Sequence, residues 1–205
     1  MIKLYQGPFS TNVERVALAL AYKGLQAEPV TIDWDDRSQV EAVSGQSLVP
    51  VIDDDGHVVS DSTRIVGYLE ERYPDPPLYP SDPARRAETE IFIDWFNEVW
   101  KRSPNAIEEE LEGNAHPAAI TTESKRMAAR MGLFEDMLTG RDYLMGDRVS
   151  AADFAAFPFL KYAALPVDPS DDEPFHRVLA DHQSLREGHS SLRDWIERID
   201  ALPRV

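Results

Sequence analysis

Cysteine is absent from this 205-residue sequence. That excludes a disulfide framework, a thiolate metal site and a cysteine nucleophile. Long apolar runs are missing too, and none approaches the ~20 residues a membrane-spanning helix needs. The chain opens as Met1-Ile2-Lys3-Leu4-Tyr5, an alternating strand pattern rather than a basic stretch followed by an apolar one. No secretory leader is expected from it. Basic charge is scarce. Against 37 acidic residues stand 21 basic ones, for a formal net charge of −16, which excludes a general electrostatic affinity for nucleic acid or anionic membranes. His176, His182 and His189 are too far apart for an i, i+4 metal pair, and the acidic run at Asp171-Asp172-Glu173 is not a calcium loop. No metal is expected, and a cytoplasmic location is.

What is present suffices for two cores. The chain is 42% apolar, and its length fits two domains of roughly 100 residues. Proline marks the boundary. Pro74, Pro76, Pro77, Pro80 and Pro83 cluster in one short stretch, and proline neither continues a helix nor leaves a linker flexible. The expected division is a first domain over 1–75, a linker over 76–83 and a second domain over 84–205.

Before the linker the elements are short and mixed. Strands are expected at 2–5, 29–33, 49–52 and 58–60, the last two joined by an Asp-Gly hairpin turn at Asp55-Gly56. Helices are expected at 11–23, with Val13, Val16, Ala17 and Leu20 at helical spacing, and at 62–73. Residues 34–47 read as irregular, with room for one helical turn. The order is βαβ, then ββα, which implies a small mixed sheet carrying helices. After the linker only helices are expected, at 84–113 with a break at Ser103-Pro104, at 121–139, at 150–164 with a bend at Pro158, at 174–187 and at 190–201. Ser150 and Asp153 are spaced to cap a buried helix start, flanked by Val149 and Phe154.

Three places can carry chemistry. In Leu48-Val49-Pro50-Val51, a proline is tolerated where a strand begins, or a cis Val49-Pro50 bond would turn the Val49 backbone toward an extended peptide. Asp61-Ser62 precedes a helix. Either residue can serve as its cap, and a helix tip with free amides and a hydroxyl also suits a carboxylate, with Asp61 beside it for an ammonium. That pairing is an α-amino acid head group. Ser10 lies at the start of the first helix, as a cap or as a donor to a bound thiolate.

Taken in order, Ser10-Thr11-Asn12-Val13, Gly45-Gln46-Ser47-Leu48-Val49-Pro50-Val51, Ser60-Asp61-Ser62 and Gly146-Asp147-Arg148-Val149-Ser150-Ala151-Ala152-Asp153 resemble a glutathione transferase. The likeness is to the bacterial, serine-type members, similar to the theta and zeta types, and it covers essentially the whole chain. It implies a thioredoxin-like α/β first domain that binds glutathione and an all-α helical-bundle second domain. By that resemblance Val49 and Pro50 meet the cysteinyl backbone. Ser62 and Asp61 hold the γ-glutamyl head, Arg37 or Gln46 meets the glycyl carboxylate, and Ser10 donates to the sulfur. Phe9, Trp95 and Trp100 are the expected wall for a small hydrophobic electrophile in a cleft between the domains. A homodimer is implied, with the helix around Arg64–Tyr68 against a partner's 84–96 helix. The implied activity is glutathione conjugation. The alternatives are a non-catalytic binding or scaffold protein on the same fold and a glutathione-dependent isomerase, dehalogenase or etherase. Without cysteine, a disulfide-reducing role on this fold is disfavoured.

Overall fold

The computed structural model describes residues 1–113 and 115–205. It divides into two compact units. One is Met1–Pro80 together with Leu202–Val205, and the other is Ser81–Ala201. The helical unit therefore gives up the last four residues of the expected 84–205 span, and those residues pack with the first unit instead.

In the first unit β1 (Ile2–Gln6), α1 (Thr11–Tyr22) and β2 (Ala27–Thr31) form a crossover that sets β1 and β2 parallel. Then come α2 (Ser38–Ser44), β3 (Val51–Asp54), β4 (His57–Ser60) and α3 (Ser62–Arg72). The sheet order is β2-β1-β3-β4, with β3 antiparallel to both neighbours. This is the expected thioredoxin-like arrangement. Asp55 and Gly56 close the hairpin with φ of 50° and 94°, as its two-residue turn demands. Residues 34–47 hold more helix than expected. Val40 at the centre of α2 is fully buried against Tyr5, Ile32 and Val51, and that burial stabilises a helix of only seven residues. Strand alternation puts Leu4 and Ile52 on the other sheet face, and there the buried α1 and α3 pack on each other.

The second unit contains α4 (Pro83–Trp95), α5 (Arg102–Glu112), α6 (Pro117–Leu138), α7 (Ala151–Leu160), α8 (Pro174–His182) and α9 (Ser190–Asp200). The break in the first long helix does not fall at Ser103-Pro104. A π-helical turn at Phe96–Trp100 separates α4 from α5, and Pro104 sits in the first turn of α5, where its missing N–H is tolerated. The wider turn brings Phe96 and Trp100 face to face at 4.5 Å, with Phe134 and Phe159 edge-on to both. α7 carries Pro158 inside it and is buried along its whole length.

Glu108 on α5 is half-buried. Burial first, then the carboxylates of Glu173, Glu112 and Glu109, push its pKa up. A raised folded-state pKa means that its contribution is intact below the unfolded value of ~4.3 and is lost as pH rises through the folded one. Glu108→Gln is therefore expected to raise the urea midpoint near neutral pH and leave it unchanged near pH ~4. Equal effects at the two pH values would contradict this.

Candidate functional site

The β1–α1 loop is a turn with an unusual backbone. The Ser10 N–H donates to the Gly7 carbonyl at 3.5 Å, Pro8 takes a position that suits its fixed φ, and Phe9 has φ 57°. Glycine or asparagine is the usual occupant of that left-handed corner, and strain of this kind collects at functional loops. Ser10 caps α1. Its Oγ accepts from the Val13 N–H at 3.4 Å, which leaves its own proton to donate outward. Phe9 is exposed.

At the tip of α3 the geometry is denser. Asp61 is the N-cap with φ 75°, and its Oδ1 accepts from the Thr63 and Arg64 N–H groups at 3.0 Å each. Ser62 is buried, and its Oγ accepts from the Arg15 guanidinium at 3.3 Å. Arg15 lies on α1, is itself buried, and has its pKa pulled down to about 9, by burial first and with Asp61 opposing. It stays protonated at neutral pH. A buried cation, a hydroxyl and the helix tip thus converge beside the exposed carboxylate of Asp61, and the combination suits an anion with a neighbouring ammonium.

Arg15 was not among the residues expected from the sequence. Its signal is there. Arg15, Leu18, Ala19 and Tyr22 recur at i, i+3, i+4 and i+7, so one lone charge heads a second apolar stripe of α1.

Val49 and Pro50 stand just ahead of β3, joined by a cis peptide bond. Pro50 is buried. The Val49 backbone makes no hydrogen bond among the described residues.

The two residues expected for a far carboxylate differ in availability. Gln46 is spent on its own loop. Its Nε2 donates to Ser44 Oγ and the Leu48 carbonyl, both at 2.9 Å, and its Oε1 accepts from the Leu48 N–H at 2.6 Å. It braces the approach to Val49 and has no donor left for a ligand. Arg37 is held by Nε to the Trp34 carbonyl at 3.3 Å and by Nη1 to the Ser47 carbonyl at 3.0 Å. Its Nη2 makes no hydrogen bond among the described residues, so Arg37 is the better candidate.

In the helical unit, Trp95 is half-buried beside Phe92 and Phe134. Trp100 is fully enclosed in the aromatic core, and its Nε1 has no partner among the described residues. Enclosed in this way, it serves as packing and not as a ligand wall. The Ser150–Asp153 capping box is formed. Among the described residues no group of His, Asp and Glu could hold a metal ion, and no helix is long and apolar enough to cross a membrane.

Two family models match the chain. The one for the glutathione S-transferase N-terminal domain matches residues 4–77, and the one for the C-terminal domain of the same family matches residues 117–198. Glutathione S-transferase GstB of Escherichia coli is 30% identical over 175 residues, which span 78% of this chain and 82% of that one. FtsZ-localized protein A of Caulobacter vibrioides is 28% identical over 166 residues, 75% of this chain and 73% of the relative. The structure of the beta-etherase LigF from Sphingobium superposes with a TM-score of 0.78 at 24% identity, covering 98% of this chain and 95% of that one, which is a likeness of fold.

Proposed function

Because the chain belongs to the glutathione S-transferase superfamily, we propose that it binds glutathione in its first unit, ionises the thiol and conjugates it to a small hydrophobic electrophile. The observation that carries this reading is the convergence of Arg15, Ser62 and Asp61 at the tip of α3. The γ-glutamyl carboxylate takes the Ser62 hydroxyl and N–H, with the Arg15 charge behind them. The free oxygen of Asp61 receives the ammonium. The backbone of Val49, ahead of Pro50, pairs with the cysteinyl residue, Arg37 takes the glycyl carboxylate, and the Ser10 proton points to the sulfur.

The energetics are adequate. Lowering a thiol from ~8.5 to ~6.5 requires about 2.7 kcal/mol. One hydrogen bond to a charged group supplies roughly 1.5–3 kcal/mol, and the end of α1 adds about 0.3–1. Phe9, exposed on the first unit, is the proposed contact for the electrophile there, and Trp95 stays a separate candidate on the helical unit. A cytoplasmic homodimer is proposed with it, α3 around Arg64–Tyr68 meeting a partner's α4, where Ile91 is an exposed apolar side chain. Sedimentation as a monomer alone would reject the dimer.

The test is calorimetry with glutathione and turnover of chloro-dinitrobenzene. Ser62→Ala is expected to weaken glutathione binding about 10- to 100-fold, the equivalent of one hydrogen bond to a charged group. Ser10→Ala is expected to return the bound thiol toward ~8.5 and lower kcat with little change in binding. If glutathione gives no saturable heat, the proposal is wrong. The similarity to FtsZ-localized protein A supports a second reading, a binding protein on the same fold. Its signature is intact tripeptide binding without turnover of any electrophile. An isomerase, dehalogenase or etherase is separated from both by its products.

A further inference from the structure

We propose that Trp34 is a positioning residue for this thiol chemistry, because its indole, wedged against Gly7 and covered by Arg37, locks the loop that bears Ser10 to the loop that receives the glycyl carboxylate. The inference rests on the glutathione reading and adds a residue that reading does not use.

Trp34 stands in Asp33-Trp34-Asp35-Asp36-Arg37, a run with nothing apolar to attract it, and is 39% exposed. Core burial does not explain its placement, but two contacts do. A Cβ built on Gly7 would lie 2.2 Å and 2.4 Å from Cζ2 and Cη2 of the indole, so the ring occupies space that only glycine leaves open at residue 7. The Arg37 guanidinium carbon sits 4.7 Å from the ring centroid, within the range of a cation–π contact. Arg37 also reaches the Trp34 carbonyl and the Ser47 carbonyl. Three loops that are remote in sequence are thereby joined in a chain: 7–10, 33–37 and 45–50.

The first of these needs such a brace. Its turn is closed by one long hydrogen bond, 3.5 Å from the Ser10 N–H to the Gly7 carbonyl, and it holds Phe9 in the left-handed region. Among the described residues Gly7 makes no other hydrogen bond. Trp34 presses on that end, three residues before the hydroxyl that would orient the sulfur. Arg37, at the other side of the same indole, would hold the opposite end of the tripeptide. Seating the carboxylate on Arg37 therefore tightens the stack that sets Ser10. Displacement of a reacting group by ~1 Å is enough to lower a rate ~100-fold. The expected signature is a fall in kcat out of proportion to any loss of binding.

The experiment measures glutathione affinity by calorimetry, the thiolate titration by ultraviolet absorbance, and kcat with chloro-dinitrobenzene, on wild type, Trp34→Ala, Trp34→Phe and Gly7→Ala. Trp34→Ala is expected to lower kcat at least ~10-fold, to move the thiol titration upward and to weaken binding less than about threefold, since Ser62, Arg15 and Val49 remain in place. Trp34→Phe keeps a ring under Arg37 and is expected to retain most of the rate. Gly7→Ala expels the indole without removing it and should reproduce the alanine defect. The pair Gly7→Ala with Trp34→Ala should be no worse than either alone, because the Cβ then has room. Trp34→Ala or Gly7→Ala with a wild-type rate and titration, in a protein that binds glutathione, overturns the role of Trp34 and leaves the glutathione reading standing. Rate losses in the two single variants that simply multiply in the pair also overturn it. Absence of binding by wild type rejects the glutathione reading itself, and the role of Trp34 with it.

Discussion

Asp153→Ala is expected to destabilise the helical unit by about 4 kcal/mol or more, as three buried hydrogen-bond donors at ~1–3 kcal/mol each lose their partner. The carboxylate is fully buried. Its Oδ1 accepts from the Leu144 N–H at 2.9 Å and from Trp195 Nε1 at 2.8 Å. Its Oδ2 accepts from the Ser150 N–H and from Ser150 Oγ, both at 2.8 Å. Burial pushes its pKa up, against the pull of those donors. One side chain therefore ties the start of α7 to the loop before it and to α9. Removing it strands the Leu144 and Ser150 amides and the Trp195 indole in an interior where water cannot replace the partner. The serine hydroxyl alone can turn away. Asp153→Asn should fall between the two, because its new N–H groups face donors where the carboxylate accepted. Urea unfolding followed through the near-ultraviolet signal of the aromatic side chains measures this. A loss below about 1 kcal/mol, the size of an ordinary substitution, would mean that the network is dispensable.

Lys23→Met should cost about 3–5 kcal/mol, the range for breaking a buried ion pair from one side. The Lys23 ammonium is out of solvent altogether, with Glu70 nearly so. All three of its protons are placed: on Glu70 Oε2 at 2.9 Å, on the Tyr73 carbonyl at 2.7 Å and on the Pro76 carbonyl at 2.9 Å. Glu70 in turn accepts from the Leu78 N–H at 2.8 Å and the Tyr79 N–H at 3.3 Å. The end of α1, the face of α3 and the proline-rich stretch after it are thus joined at one point. Methionine fills the volume but leaves two carbonyls and a carboxylate without their cation. Adding Glu70→Gln should recover part of the loss, since glutamine removes the charge and keeps an acceptor for Leu78. Amide exchange at Leu78 and Tyr79 is the local readout. Unchanged protection there in Lys23→Met would show that the pair does not hold the linker.

Much of the candidate site could be read without coordinates because its parts are short-range devices. Ser10 and Asp61 are legible as helix caps, Asp55-Gly56 as a hairpin turn and Pro50 as a residue that cannot sit inside a central strand. Each of these follows from a few neighbouring residues. The Ser150–Asp153 cap is of the same kind. Gln46 looked as good as Arg37 on composition, and nothing local separates them. Only the placed atoms show one amide consumed by Ser44 and Leu48 while the other side chain keeps part of its fork.

By itself, then, the sequence determined most of the order of elements, the proline-rich stretch between the mixed and the helical parts, and the caps and turns of the candidate site. Those are matters of backbone restriction and periodicity, and they act within a turn or two. Tertiary structure decided the rest. It brought Arg15 to Ser62 across 47 positions, set Trp34 against Gly7 and placed a π-helical turn at Phe96–Trp100 instead of a break at Ser103-Pro104. It also returned residues 202–205 to the first unit, where Arg204 meets Glu14 of α1 at 2.9 Å. A side chain's partner across the chain depends on which faces pack together. That packing is settled by the sum of many small burial energies, which no single segment contains.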